Sequence, residues 1–215
     1  VTEINTEKYK QTILFSKDNK KRYGEINTPI LSFNQKINTN NLDAYGRSKL
    51  IAEKIIEEYC IKNNCRYILF RLPGVVGYGS HSNLLSKVIN TLLSDNDKVL
   101  NLFNADNLFN NMLDINTLIS YCEQLKLNGK NNHKVIKTLL ACKNPIKIGE
   151  VIYHIQENLN LRNQKRIKWI NNDSRSFILD HEYQTKFNLM PISTICSIDK
   201  LCKDIIEGNN FPQKS

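Results

Sequence analysis

Tyr45 and Lys49 are the residues of this chain whose types and spacing best suit chemistry. They lie four residues apart at the start of a segment with apolar residues at helical spacing, so a helix places both side chains on one face, one turn apart. A lysine cation beside a phenol favours the phenolate and lowers a pKa that is about 10 in water. The pair therefore predicts a general acid or base that exchanges a proton near neutral pH.

The same spacing arises by chance in a chain with 9 tyrosines, so the surrounding sequence decides its meaning. Taken alone, the pair also fits a helix N-terminus with a solvated lysine and a half-buried tyrosine. Apolar residues continue at helical period over 50–60, and Asn63 and Asn64 end the predicted helix. A buried strand is predicted over 67–70, and it leads into residues 71–79, which read Arg-Leu-Pro-Gly-Val-Val-Gly-Tyr-Gly.

The order of these motifs resembles the extended short-chain dehydrogenase/reductases, which include the nucleotide-sugar epimerases and dehydratases. The motifs are Tyr-Gly-x-Ser-Lys at 45–49, then a helix, a strand and the segment 71–79. The resemblance continues through 108–115 to about residue 206, and so covers most of the chain. It implies an α/β fold, namely the later half of a Rossmann-like doubly wound parallel sheet with a small α+β substrate lobe.

The resemblance also implies an alternating order of domains. Residues 1–80 form part of the NAD(P)-binding domain, and residues 81–134 form the substrate lobe. Residues 135–165 return to the first domain, and residues 166–215 complete the substrate lobe and the C-terminal helix. Hydrophobic patterns predict strands at 11–16, 99–103, 135–140 and 166–170, and helices at 82–93, 148–159 and 197–206.

Roles for individual residues follow from the same resemblance. Tyr45 is implied to be the catalytic acid or base, and Lys49 its electrostatic partner, which also contacts the nicotinamide ribose of NAD or NADP. Ser16 ends the first predicted strand and is implied to hydrogen-bond the reacting oxygen of the substrate; its alternative role is to end that strand. Asn110 stands where the family often has a phosphate-binding arginine. The other implied contacts are Tyr45 itself, Pro73, Gly74 and Val76 to the cofactor, and Asn83 together with Asn110 to the substrate.

The family's opening strand, Gly-x-x-Gly-x-x-Gly turn and helix, which receive the pyrophosphate, are absent from this sequence. Only Gly24 precedes Tyr45. The glycines at 74–79 follow the Tyr-Lys helix and lack the expected acidic residue on a second strand, so they are not expected to form the diphosphate loop. We therefore expect the sequence to be the C-terminal two-thirds of a longer protein or a truncated gene product, inactive by itself.

Two functions remain open. The first is an NAD(P)-dependent epimerase, dehydratase or reductase of polysaccharide biosynthesis. It would act by hydride transfer on a sugar, of the nucleotide-linked kind, with Tyr45 moving the hydroxyl proton. Asp18 is followed by asparagine rather than glutamate, which favours an epimerase or a reductase over a dehydratase. The second is a non-catalytic remnant or binding module of the same fold that cannot hold a dinucleotide.

Composition limits the other classes of protein. The chain has 215 residues, 40% of them hydrophobic, with no apolar run near 18 residues and no signal pattern; no membrane partner is expected, and the cytoplasm is the expected compartment. The net charge of +9 comes from singly spaced basic residues, which favours a solvated surface over nucleic-acid binding. The six cysteines show no metal-ligand spacing, so no metal is expected. The expected partners are a sugar or nucleotide-sugar and a second copy of the chain in a homodimer.

Overall fold

The computed structural model describes residues 30–34, 44–80, 83–94, 99–127, 135–161, 166–172 and 177–209. Within these ranges the chain has a mixed α/β fold, and four of the five strand pairs found there are parallel. The α/β class predicted from the sequence is confirmed. Ser16 and the strand predicted over 11–16 lie outside the described residues.

The described elements alternate between short strands and helices. In chain order they are β1 (Ile30–Leu31), α1 (Ala44–Lys62), β2 (Tyr67–Arg71), β3 (Gly74–Val76), α2 (Leu84–Leu93), β4 (Leu100–Phe103), β5 (Leu108–Phe109), β6 (Met112–Asp114), α3 (Ile115–Leu127), β7 (Val135–Leu139), β8 (Ile146–Lys147), α4 (Ile148–Asn158), β9 (Ile167–Ile170), β10 (Ile178–Leu179), a 3₁₀ helix (Tyr183–Phe187) and α5 (Thr194–Asn209).

Parallel pairing joins segments that are distant in the sequence. β2 pairs with β7 along its whole length, from Tyr67 opposite Val135 to Arg71 opposite Leu139. The other parallel pairs are β1 with β10, β3 with β6 and β4 with β9, while β5 and β8 are antiparallel. The prediction that residues 135–140 form a strand returning to the sheet is confirmed. Parallel neighbours require crossover connections, and the helix α2 lies in the connection between the paired strands β3 and β6.

Hydrophobic side chains fill the space between the layers. The largest cluster packs the apolar faces of α2, α4 and α5 against β3, β4 and β6. A second cluster packs α3 against β7, and a third joins β1 to β10. Fully buried members of the largest cluster include Val88, Leu92, Val151, Ile155 and Ile198. Each of the helices α2 and α4 presents apolar residues at three- and four-residue spacing, which is why the sequence predicted them.

The helix α5 differs from its prediction at both ends. It begins at Thr194, three residues before the predicted helix over 197–206, and ends at Asn209, three residues after it. The ring of Tyr78 lies so close to Gly208 that a Cβ at this position would collide with it. A glycine therefore stands here because an aromatic ring needs the room, and the helix continues past it.

The helix α1 is present as predicted, but its apolar residues are not covered. None of its residues is buried. Ile51, Ile55 and Tyr59 are 55%, 60% and 63% exposed and follow one another at four-residue spacing. Asn64 adopts a left-handed conformation (φ 55°) just after the helix, in agreement with the predicted stop. No helix among the described residues has the length and apolarity needed to cross a membrane.

Candidate active site

Tyr45 and Lys49 occupy the first two turns of α1. The Lys49 Nζ lies 5.1 Å from the centroid of the Tyr45 ring, so the i, i+4 spacing brings the cation to the phenol. The Tyr45 side chain is 44% exposed. The arrangement leaves the pair accessible to a small molecule, and its catalytic role stays a prediction.

Two ion pairs bind α1 to the sheet on the side of the helix that carries Tyr45 and Lys49. Glu53 accepts hydrogen bonds from Arg71 Nε at 3.1 Å and Nη2 at 2.9 Å. Glu57 pairs with Lys137 on β7, and this hydrogen bond lowers the pKa of the Glu57 carboxyl. The residues 45, 49, 53 and 57 are each one turn apart, so they form a single stripe along α1, here named the Tyr45–Glu57 stripe.

The register of β2 and β7 gives the direction of this stripe. Lys137 lies opposite Leu69, whereas Arg71 is two residues further towards the carboxyl end of β2. One helical step from Glu57 to Glu53 covers about 6 Å, which matches the roughly 6.6 Å of two strand residues. The N-terminal end of α1 therefore points beyond the carboxyl end of β2. Ligands of open parallel α/β sheets bind at that edge, and the stripe carries Lys49 and Tyr45 towards it.

The segment after β2 is partly a strand. Pro73 is buried, Gly74 opens β3, and Val76 is 1% exposed within the largest hydrophobic cluster. A Cβ on Gly74 would lie 3.3 Å from the backbone oxygen of Asn111, so glycine suits this close approach. Because the Val76 side chain faces the core, only its backbone is left for a cofactor. The three predicted cofactor contacts stay predictions.

Asn83 joins the end of β3 to the start of α2. Its Nδ2 donates to the Val75 carbonyl at 3.2 Å, and its Oδ1 accepts from the Ser86 amide at 2.9 Å as the N-cap of α2. Ser86 in turn lies 2.7 Å from the hydroxyl of Ser80. The carboxyl end of a parallel strand thus meets a helix N-terminus, where backbone N–H groups and the helix dipole favour an anion.

Asn110 lies in the core. Its Nδ2 donates to the carbonyls of Cys142 and Leu179, and its Oδ1 accepts from the Leu179 amide, all at 2.8 Å. The side chain is fully buried, and both amide hydrogens and the amide oxygen are used by the backbone. Its predicted role as a substrate contact is untested. In the structure it connects the segment after β7 to β10, a positioning role.

A buried carboxylate that the sequence did not single out is Asp114, at the end of β6. Its Oδ1 accepts from the Thr117 amide at 2.8 Å, and its Oδ2 accepts from the Ser197 hydroxyl at 3.3 Å. Lys200 lies 3.8 Å away. Asp114 therefore caps α3 and connects it to α5. The signal was available, because an aspartate directly before a segment with apolar residues at helical spacing is a helix N-cap pattern.

Thiols and histidines are the remaining side chains that could act as metal ligands or nucleophiles. Among the described residues, no three His, Cys, Asp or Glu side chains come together to hold a metal. Burial raises the pKa of the Cys142 thiol to about 12, so it is protonated and unreactive at neutral pH. His154 lies 2.7 Å from Asp199 and joins α4 to α5. These contacts indicate structural roles.

The parallel strand pairs and the helices between them define a class, the Rossmann-like α/β proteins. The model of the NAD-dependent epimerase/dehydratase family matches residues 20–108. No curated protein matches the chain. The resemblance to the extended short-chain dehydrogenase/reductases is thereby confirmed, and the solved structures below share the fold.

Three solved structures illustrate this likeness. A UDP-glucose 4-epimerase shares 18% identity at a TM-score of 0.67, over 89% of this chain and 64% of that one. A UDP-glucuronic acid 4-epimerase from Bacillus cereus, solved with NAD, shares 17% identity at a TM-score of 0.66, over 86% of this chain and 58% of that one. A dTDP-glucose 4,6-dehydratase from Bacillus anthracis, also solved with NAD, shares 18% identity at a TM-score of 0.62, over 86% of this chain and 58% of that one. The chain spans about three-fifths of the length of these proteins.

Proposed function

We propose that the chain is the acid–base and substrate-binding part of an NAD(P)-dependent epimerase, dehydratase or reductase that acts on a nucleotide-linked sugar. The observation that carries the proposal is the exposed Tyr45–Lys49 pair in the first two turns of α1, the end of the helix that points beyond the carboxyl edge of β2. The family match and the shared fold support the same reaction class.

The chemistry required of the chain is a proton transfer. A bound nicotinamide would supply the acceptor for the hydride that leaves the carbinol carbon. Tyr45, as the phenolate, takes the proton of the same hydroxyl, and returns it when the carbonyl is reduced again. Lys49 stabilises the negative charge on the phenol oxygen and offers N–H donors to a ribose. The exposed ammonium and hydroxyl at the sheet edge suit the ribose and nicotinamide half of the dinucleotide.

The substrate would bind on the other side of the β2–β3 connection. Asn83 and the N-terminus of α2 offer an anion site at the end of β3, which suits the diphosphate of a nucleotide sugar. Asn110 is proposed as the second substrate contact of the chain, and its side chain is held by three hydrogen bonds to the backbone of Cys142 and Leu179. Domain boundaries at 80, 134 and 165 remain part of this proposal.

The reaction class is tested by incubating the complete protein with UDP- and dTDP-hexoses in the presence of each dinucleotide. An epimerised, dehydrated or reduced sugar supports the proposal. Failure to bind either dinucleotide and to convert any sugar would favour the alternative, a non-catalytic remnant or binding module of the same fold.

The 215-residue chain alone is expected to bind NAD(H) and NADP(H) weakly, with a Kd above about 0.1 mM, or roughly −5.5 kcal/mol. The glycine turn that normally binds the pyrophosphate is absent from its sequence, so only contacts to the ribose and nicotinamide remain. Isothermal titration calorimetry with each dinucleotide measures this, with Lys49→Met as the variant that should abolish the residual heat. A micromolar Kd would contradict the expectation, and would direct attention to the glycines at 74–79.

The outward face of α1 is proposed as the contact between two copies of the chain. Ile51, Ile55 and Tyr59 form an exposed apolar row, and a two-fold axis would place the same row on both partners. Sedimentation equilibrium is expected to show a dimer that Ile55→Glu converts to a monomer. The control is Ile206→Glu, at a 47% exposed position on α5, which should remain dimeric. A monomeric unmodified chain would contradict the proposal.

A further inference from the structure

We propose that Glu53 and Arg71 form a positioning pair that fixes the rotation of α1 and so places Tyr45 and Lys49; this inference rests on the proposed function. Arg71 binds both oxygens of Glu53, through Nε at 3.1 Å and Nη2 at 2.9 Å. A two-point contact between a planar guanidinium and a planar carboxylate fixes orientation as well as distance. Both side chains are about one-quarter exposed, so the contact is partly shielded from water.

The Arg71 side chain is itself held from other elements. Its Nη1 donates to the Phe33 carbonyl at 3.2 Å, and its guanidinium carbon lies 4.6 Å from the centroid of the Phe33 ring. The Phe33 ring stacks on Tyr183 with centroids 5.1 Å apart and planes 21° apart. The segments after β1 and β10 therefore hold the guanidinium in place. Because the position of Arg71 is fixed, the ion pair fixes the position of Glu53 and therefore the rotation of α1.

The helix depends on such contacts because apolar burial does not fix it. With no residue of α1 buried, rotation about the helix axis meets little resistance from packing. At a side-chain radius of about 5–6 Å, a rotation of roughly 20° moves a side chain by about 2 Å. A displacement of about 1 Å at a reacting group can cost on the order of 10²-fold in rate.

The second ion pair provides a matched control on the same helix. Glu57 binds Lys137 through one oxygen, and it lies one turn further from Tyr45 than Glu53 does. Glu53 is eight residues from Tyr45, about 12 Å along the axis, and Glu57 is twelve residues away, about 18 Å. Both pairs join α1 to the sheet, but Arg71 binds both oxygens of Glu53 and donates to the Phe33 carbonyl, whereas Lys137 binds one oxygen of Glu57.

The test compares Glu53→Gln, Arg71→Lys and Glu57→Gln in the complete protein. Glu53→Gln and Arg71→Lys are expected to lower kcat about 10–100-fold, leave KM within about twofold, and shift the pH at which kcat is half-maximal. Arg71→Lys keeps the charge and loses the fork, so it tests geometry rather than charge. Glu57→Gln is expected to lower Tm by about as much as Glu53→Gln does, and to change kcat less than about threefold.

Equal kcat and unchanged pH profiles for the Glu53 and Glu57 variants would overturn the positioning role. If Glu53→Gln does not fold, as judged by circular dichroism, the Arg71→Lys variant decides alone. Tyr45→Phe is measured in parallel to separate the two claims. Full turnover of Tyr45→Phe would contradict the proposed function itself. An inactive Tyr45→Phe together with normal kinetics of Arg71→Lys would contradict only the positioning role.

Discussion

Replacement of Tyr45 by phenylalanine in the complete protein is expected to lower kcat by about 10²–10⁴-fold and to leave KM within about twofold. Phenylalanine keeps the ring, and with it the contact that places the Lys49 ammonium 5.1 Å from the ring centroid. Only the hydroxyl is lost, so the change removes proton transfer and leaves the shape of the site. Steady-state kinetics with the preferred nucleotide sugar, under saturating dinucleotide, measures the effect.

The control for this prediction is Tyr59→Phe. Tyr59 lies on the same helix, is 63% exposed and does not belong to the Tyr45–Glu57 stripe. Its variant is expected to retain kcat within about twofold. Near-normal turnover of Tyr45→Phe would mean that Tyr45 is structural, and another acid–base group would have to be sought.

The substitution Asn110→Asp is expected to lower the free energy of unfolding at pH 7 by about 3 kcal/mol or more. A carboxylate of the same shape can still accept from the Leu179 amide, but it cannot donate to the carbonyls of Cys142 and Leu179, each 2.8 Å from the amide nitrogen in the native side chain. The position is completely buried, so water cannot replace the lost partners. Urea unfolding followed by circular dichroism measures the change.

The same substitution should make stability depend on pH. Burial and two facing carbonyls raise the pKa of the introduced carboxyl above its unfolded value of about 3.9. The folded state then holds the proton more tightly, so stability is lost as pH rises from about 4 towards the folded pKa and is partly recovered in acid. The control, Asn101→Asp on the exposed side of β4, should show neither effect. A pH-independent loss equal to that of the control would show that the three hydrogen bonds contribute little.

Several elements of this protein were determined by the local sequence. The period of apolar residues over 50–60 and the asparagines after it predicted α1, which ends at Lys62 with Asn64 in the left-handed region. The four-residue spacing predicted that Tyr45 and Lys49 share a face, and their contact follows from helical geometry alone. The strands β2 and β7 were equally visible. Such features depend on residues within a few positions of one another, so no tertiary information is needed to predict them.

Only the tertiary structure decided which of these elements meet and which side chains bind them. Arg71 and Glu53 are 18 residues apart, and Asn110 reaches partners 32 and 69 residues away. Periodicity also predicted a helix at 50–60 without showing that its isoleucines are exposed and that two carboxylates hold it to the sheet. The close approach of the Tyr78 ring to Gly208 is a further long-range contact that the local sequence did not predict. Long-range partners are determined by the packing of the whole chain, so the residues next to a side chain in the sequence do not predict which distant residues it contacts.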